Sequence, residues 1–324
     1  MKAVVYARYG LPDVLRFTDV EKPAPKDNEV LVKVHAVSLN ASDWEVLRGK
    51  PLYSRIMGPF RPRRHILGSD IAGQVDVAGR NATIFQPGDE VFADILSYMG
   101  GFADYVCVPE SALARIPAGM SYEEAAALPQ AGAIALQGIR DKGQVQPGQK
   151  VLIVGASGGV GTFAVQIAKA LGADVTGVCS TRNVEMVRSL GADHVIDYTR
   201  SDFTRSGQKY DLIFQLAGTH SPSDCRRALT PKGTLVLSSG ESDGRWIGPV
   251  DRMIRAAVLS PFVSQKLGSF LAKPTQEDLQ LLKELVETGK VKPVIDRTYS
   301  LSEVPEAIRY LEEGHARGKV VVTV

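Results

Sequence analysis

From Val151 to Gln166 the chain reads Val-Leu-Ile-Val-Gly155-Ala-Ser-Gly158-Gly-Val-Gly161-Thr-Phe-Ala-Val-Gln, an apolar run that enters a glycine cluster and leaves it with helical spacing. No charge appears before Lys169, so the stretch approaches the roughly 18 apolar residues of a membrane span. Gly155, Gly158, Gly159 and Gly161 oppose that reading: they weaken a continuous helix and suit a tight turn between a strand and a helix. Such a turn lets the backbone approach an anion, and the helix start directs unpaired amides and a positive dipole at it. At the first strand-to-helix turn of an alternating region, this pattern predicts a dinucleotide phosphate cradle, with a purely structural turn as the alternative. The Gly-Lys-Ser/Thr ending of a P-loop is absent, which argues against a kinase or ATPase.

The rest of the chain divides around this motif. Lys2–Tyr6, Glu29–Val37, Ile71–Val77, Glu90–Ala93 and Ala103–Val108 are short β-branched runs punctuated by turns such as Gln86-Pro-Gly-Asp89. They predict an antiparallel, partly open barrel. At Ser121-Tyr-Glu-Glu124 a capping box opens an alanine-rich helix that breaks near Pro129. Six strand-like runs follow, Val151–Val154, Asp174–Val178, His194–Asp197, Asp211–Leu216, Thr234–Ser238 and Ser269–Ala272. Helical stripes closed by Gly172 and Gly191 separate the first of them, the pattern of a doubly wound parallel sheet. A helix from about Thr275 and two β runs, Pro293–Asp296 and Lys319–Val324, return the chain to β structure. The expected domains are 1–122 with 273–324, and 123–272.

The second strand of the alternating region decides which dinucleotide is expected. An acidic residue at its end would accept from the ribose hydroxyls, but that place holds Ser180-Thr181-Arg182-Asn183. A hydroxyl and a guanidinium suit a 2′-phosphate, so NADPH is expected over NADH, with Tyr198 as an additional phenol donor. The alternatives are that Arg182 decorates the next helix and that Tyr198 is a plain surface residue.

Thirty-eight basic against 36 acidic side chains leave a net charge of +2, and the dense basic stretch Arg61-Pro-Arg63-Arg64-His65 is too short for a nucleic-acid face. Cys107, Cys179 and Cys225 are an odd number and widely spaced, which argues against disulfides and metal knuckles. Met1–Arg8 has only five residues between its charges, too few for a signal-peptide core. A reduced, cytoplasmic protein without a membrane span is expected.

Taken together, Gly68-Ser-Asp70-Ile-Ala-Gly73-Gln-Val75, Phe85-Gln-Pro-Gly88-Asp89-Glu-Val91, Gly101-Phe-Ala-Asp-Tyr-Val106, Glu123-Glu-Ala-Ala-Ala-Leu-Pro129 and Arg317-Gly-Lys-Val-Val-Val322 carry a resemblance. The chain resembles the medium-chain dehydrogenase/reductase superfamily, in its zinc-independent quinone oxidoreductase branch. The resemblance implies an α/β chain: a GroES-like, partly open β-barrel catalytic domain built from both chain ends, a Rossmann domain in the middle and a cleft between them. Zinc-dependent members carry a cysteine and a Gly-His-Glu triplet, whereas this chain has Asn40-Ala-Ser42-Asp43 and Gly68-Ser69-Asp70 there. Zinc then lacks soft or imidazole ligands, and no metal is expected.

What the resemblance implies for the site follows residue by residue. Ser157, Gly158, Gly159 and Val160 meet the pyrophosphate, Leu216 borders the nicotinamide ribose, and a strand Phe270-Leu271-Ala272 closes over the nicotinamide. Asn40, Ser42 and Tyr53 are candidate donors to a substrate carbonyl; equally, Asn40 fixes a turn and Asp43 caps the next helix. Tyr53, Met57, Phe60 and Tyr98 are candidates for the cleft lining. Ile134 stands where the family often has a threonine, which removes a hydroxyl near the nicotinamide. The expected reaction is NADPH-dependent hydride transfer to a quinone or an α,β-unsaturated carbonyl, substrates that conjugation already makes electrophilic. The alternatives are an NADPH-binding sensor with little turnover and a zinc-dependent alcohol dehydrogenase. The partner set expected is a small-molecule substrate and a second copy of the chain, paired through the Gly268–Ala272 edge.

Overall fold

Val30, Val32, Val34 and Val37 are buried on a single long strand, and the sheet of the first unit is assembled on that strand. In the computed structural model, which describes residues 1–55, 58–238, 250–273 and 275–324, the chain forms two units. One comprises Met1–Ala131, Pro274–Thr288 and Pro293–Val324; the other comprises Gly132–Lys273 and Gly289–Lys292.

The first unit begins with a two-stranded ribbon, β1 (Lys2–Val5) with β2 (Arg16–Asp19). Then come β3 (Glu29–Ser38), the helix α1 (Ala41–Arg48), β4 (Asp70–Ala78), β5 (Glu90–Asp94), β6 (Tyr105–Pro109) and β7 (Ala114–Arg115). β3 pairs antiparallel with both β4 and β6, and β4 with β5, so the sheet curls as a partly open barrel. Leu47, Ile71, Ile95 and Phe102 fill its interior. The expected change of architecture at 122/123 falls later, at 131/132. The physical reason is the helix α2 (Tyr122–Ala126): it packs against β3 and β4 and buries Ala125 and Ala126 completely.

The divide lies inside the helix α3 (Pro129–Leu136). The second unit continues with β8 (Lys150–Val154), the helix α4 (Gly159–Ala170), β9 (Asp174–Cys179), β10 (His194–Asp197), β11 (Tyr210–Gln215), β12 (Leu229–Leu237) and β13 (Lys266–Ser269). All six strands run parallel, in the order β10-β9-β8-β11-β12-β13. The order reverses between β8 and β11, and the carboxyl ends of strands at such a point form the ligand crevice of doubly wound sheets. The last strand is displaced from the expected Ser269–Ala272. β12 ends at Leu237, whose partner is Ser269; Phe270 N still donates to the Leu237 carbonyl at 3.3 Å, and the strand goes no further among the described residues. Leu271 is 87% exposed there.

The chain re-enters the first unit with a helix, Gln276–Glu287, and, after Gly289–Lys292, completes it with β14 (Ile295–Ser300) and β15 (Lys319–Thr323). β15 lies antiparallel to β3, with Val321 opposite Ser38.

Candidate functional site

In the second unit the β8–α4 turn has the form that its glycines require. Gly155 takes a φ of +89°, which favours glycine, and Gly158 precedes the helix in an extended conformation. A Cβ on Gly161 would stand 2.0 Å from the Gly155 carbonyl oxygen, so that glycine allows helix and strand to touch. A Cβ on Gly158 would meet only the same oxygen, at 3.6 Å, and otherwise open space. The first turn of α4 therefore presents amides beside room for an anion. These residues fit a dinucleotide pyrophosphate. Ser157, Gly158, Gly159 and Val160 are brought together here, and Leu216 follows β11 at the neighbouring strand end.

Ser180 follows β9 and opens a short 3-10 turn, Thr181–Asn183. Asn183 Nδ2 donates to Ser157 Oγ at 3.0 Å and to Ser180 Oγ at 3.2 Å, so the phosphate turn and the end of β9 are joined by one side chain. Arg182 is exposed on the same turn, and Tyr198 is 60% exposed beyond β10. A carboxylate does reach this turn, contrary to expectation, but from the next strand. Asp197 accepts from Thr181 Oγ1 at 2.5 Å and from Thr199 N and Oγ1, bonds that hold its carboxyl below the usual range. Phe270, Leu271 and Ala272 lie past the end of β13, not on a strand, and the Phe270 ring stands 6.4 Å from that of Phe214.

In the first unit, the loop after β3 enters a buried polar cluster. Ser38, Asp70 and Asp94 lie side by side on β3, β4 and β5. Asn40 Nδ2 donates to Asp70 Oδ2 at 2.8 Å and to Ser69 Oγ at 3.1 Å, while its Oδ1 accepts from Lys319 Nζ at 2.5 Å. Lys319 also donates to the Leu39 carbonyl and stands 3.7 Å from Asp70. Asp43 accepts from Asn40 N, Ser69 Oγ and Gly68 N. Asp43, Ser69, Asp70 and Lys319 are all buried. Burial raises all three carboxyls, Asp43 to about 6 and Asp70 well above the ordinary range, and lowers the Lys319 ammonium.

This geometry corrects the expected role of Asn40. Both of its amide protons and its carbonyl are committed to protein partners, so it sets the loop rather than offering a donor. Asp43, bonded to Asn40 N, closes the start of α1. Ser42 Oγ donates to Gln130 Oε1 at 3.2 Å. Tyr53, 41% exposed, donates to Glu45 Oε2 at 3.4 Å. Burial lifts Glu45 to about 7 and Tyr53 to about 12. Phe60 and Tyr98 are exposed, and Met57 lies outside the described residues.

The donor set does not fit zinc. Where the zinc relatives have their ligands, this cluster offers carboxylate, hydroxyl and amide oxygens around a buried ammonium, which repels a cation. Among the described residues no three His, Cys, Asp or Glu side chains are grouped to hold a metal ion.

Glu45, Ser69, Gln130, Asn183 and Lys319 are not singled out by the sequence pattern. The one available signal is Lys319, a lone charge opening the apolar run Val320-Val-Val-Thr-Val324.

Comparison with known proteins agrees with both units. Residues 26–118 match the alcohol dehydrogenase GroES-like domain family, and residues 190–322 match a family described as zinc-binding dehydrogenase. The chain is 35% identical to a chloroplast envelope quinone oxidoreductase homolog of Arabidopsis thaliana, over 99% of this chain and 98% of that one. It is also 35% identical to the mitochondrial NAD(P)H oxidoreductase RTN4IP1 of Danio rerio, over 100% of this chain and 91% of the relative. The quinone oxidoreductase from Coxiella burnetii superposes with a TM-score of 0.87 at 30% identity, covering 100% and 99% of the two chains. The cradle, the partly open barrel and these relatives together place the chain in the medium-chain dehydrogenase/reductase superfamily, in its zinc-independent quinone oxidoreductase branch, as an NAD(P)H-dependent oxidoreductase.

Proposed function

We propose that the protein reduces a quinone or an α,β-unsaturated carbonyl with NADPH and without a metal. The observation that carries this reading is Lys319, whose ammonium sits within the cluster formed by Asn40 and Asp70, the segments that supply zinc ligands in zinc-dependent relatives. When bound, NADPH supplies the hydride. The free amides of Gly159 and Val160 bind the pyrophosphate, with Ser157 alongside and Gly158 leaving room for it. Ser180, Arg182 and Tyr198 hold the 2′-phosphate. Leu216 and the backbone of Phe270, Leu271 and Ala272 border the nicotinamide end.

With Asn40 committed and the Ser42 hydroxyl proton given to Gln130, Tyr53 remains to meet the substrate oxygen. Glu45 holds a proton near neutrality because burial disfavours its charge. A protonated Glu45 donates to Tyr53, whose own hydroxyl proton is then free to turn to the oxygen that gains charge. In this way the pair supplies a proton without a metal-bound water.

A homodimer belongs to the same reading. Among the described residues β13 is an edge strand, and Ile254 and Val258 on the preceding helix Val250–Leu259, Phe262 after it and Leu271 past the strand are exposed. We also place the enzyme in a reducing compartment such as the cytoplasm, on its three unpaired cysteines. Among the described residues no helix is long and apolar enough to cross a membrane.

The test is NADPH oxidation, followed by absorbance, with a panel of quinones, alkenals and saturated ketones. Turnover with the conjugated substrates alone is expected. The commitment of Asn40 favours one second reading, a protein that binds NADPH without turnover. Tight binding with no oxidation on any substrate would establish it.

A further inference from the structure

Asn183 is buried, 4% exposed, and its side chain touches two of the residues assigned above to the dinucleotide. Its position follows from local geometry. The turn Thr181–Asn183 is 3-10, in which residues three apart eclipse, so Asn183 stands beneath Ser180 and its backbone N donates to the Ser180 carbonyl at 2.9 Å. From there Nδ2 reaches both Ser180 Oγ and, on the β8–α4 turn, Ser157 Oγ.

The direction of these bonds matters. A hydroxyl that accepts from an amide keeps its own proton for another acceptor. Among the described residues neither Ser157 nor Ser180 donates its hydroxyl proton to a protein group, whereas Asn183 uses both of its amide protons. The opposite orientation of the amide would draw both hydroxyl protons onto its oxygen and away from any anion.

We infer that Asn183 is a positioning residue for the dinucleotide: one buried amide fixes Ser157 and Ser180 with their O–H groups directed to phosphate oxygens, at the pyrophosphate and at the ribose 2′-phosphate. The inference rests on the NADPH reading above and adds a specificity-determining group to it. Ser157 serves either dinucleotide, while Ser180 serves only the one with a 2′-phosphate, so Asn183 influences both affinity and selectivity.

The experiment measures Kd for NADPH and NADH by fluorescence titration on the wild type and on Asn183→Asp, Asn183→Ala, Ser180→Ala and the double variant Ser180→Ala/Asn183→Ala. Asn183→Asp is nearly isosteric, but its side chain only accepts, so it captures both hydroxyl protons; thermal unfolding confirms that each variant is folded. The expected result is an NADPH Kd raised about tenfold or more in Asn183→Asp, because hydrogen bonds to a charged group are lost, with a smaller rise for NADH. The NADPH-to-NADH selectivity of the double variant should equal that of Ser180→Ala. Unchanged selectivity in both Asn183 variants would overturn the inference, as would selectivity losses from Asn183→Ala and Ser180→Ala that simply multiply. A wild type that binds NADH as tightly as NADPH overturns the earlier reading instead, and the role of Ser180 with it; that result is read before any variant is made.

Discussion

Asn40 and Asn183 are both buried amides at the end of a strand, and they serve opposite ends. In the barrel unit, Asn40 commits every polar atom of its side chain to Ser69, Asp70 and Lys319, and the resulting cluster is closed. In the sheet unit, Asn183 donates to two hydroxyls and leaves their protons for a ligand. The first arrangement makes a loop rigid, and the second makes a surface receptive. A buried polar residue near a site is therefore not, by type alone, a binding residue; the direction in which its partners' protons point separates the two roles.

The largest effect should come from opening the closed cluster. Lys319→Met leaves Asp70 buried without its cation and should cost about 3–5 kcal/mol, read by urea unfolding. Replacing both partners, as Lys319→Met/Asp70→Leu, should recover most of that loss. A single variant as stable as the wild type would show that the cluster is not closed around its ammonium.

In the same unit the Glu45 carboxyl has, among the described residues, one hydrogen-bonding partner, Tyr53, and tests whether any carboxyl there works on substrate. A general acid must be protonated, so kcat/KM should fall as pH rises through about 7, the value to which burial lifts Glu45. Glu45→Gln should lower kcat about 10²-fold and remove that limb. A limb that persists in the variant would assign the proton elsewhere.

In the sheet unit the two glycines of the cradle separate packing from binding. Gly161→Ala forces a Cβ against the Gly155 carbonyl and should destabilise by about 1–3 kcal/mol. Gly158→Ala should keep its stability within about 0.5 kcal/mol, because its Cβ enters open space, yet weaken NADPH binding. Equal stability losses in the two would remove the argument that Gly158 faces a ligand. The smallest change expected is in Arg182→Ala, about a tenfold loss of NADPH affinity with NADH unaffected, as for one charge-assisted contact. An unchanged preference would free Arg182 from the phosphate.

The same contrast explains what could be read before the structure. The β8–α4 turn was legible because its requirements are local: a positive φ, a close approach and free amides all fall within seven residues, Gly155–Gly161. The strand alternation and the return of the chain end to the barrel were legible for a similar reason, since periodicity repeats within each element. Asn183 was hidden because its second partner, Ser157, is 26 positions away. Lys319 leaves a trace, a lone charge at the head of an apolar run, but not its role. Lysine rarely enters a core, and only the meeting of β15, β3 and β4 explains why this one does. At the end of β13 the sequence misleads, because residues 269–272 look like a strand and nothing local reveals that β12 stops at Leu237.

The distance from Asn40 to Lys319 is 279 positions along the chain. On a ribosome adding about 5–20 residues per second, the barrel strands are made early, yet their buried carboxylates lack a cation until the chain has been extended as far as Lys319. Nearly all of the sheet unit, Gly132–Lys273, has by then been synthesised as one continuous stretch whose contacts close over shorter loops. Chain order thus allows the nucleotide fold to precede the barrel that brackets it in sequence, and the buried cluster cannot be completed before Lys319 is made.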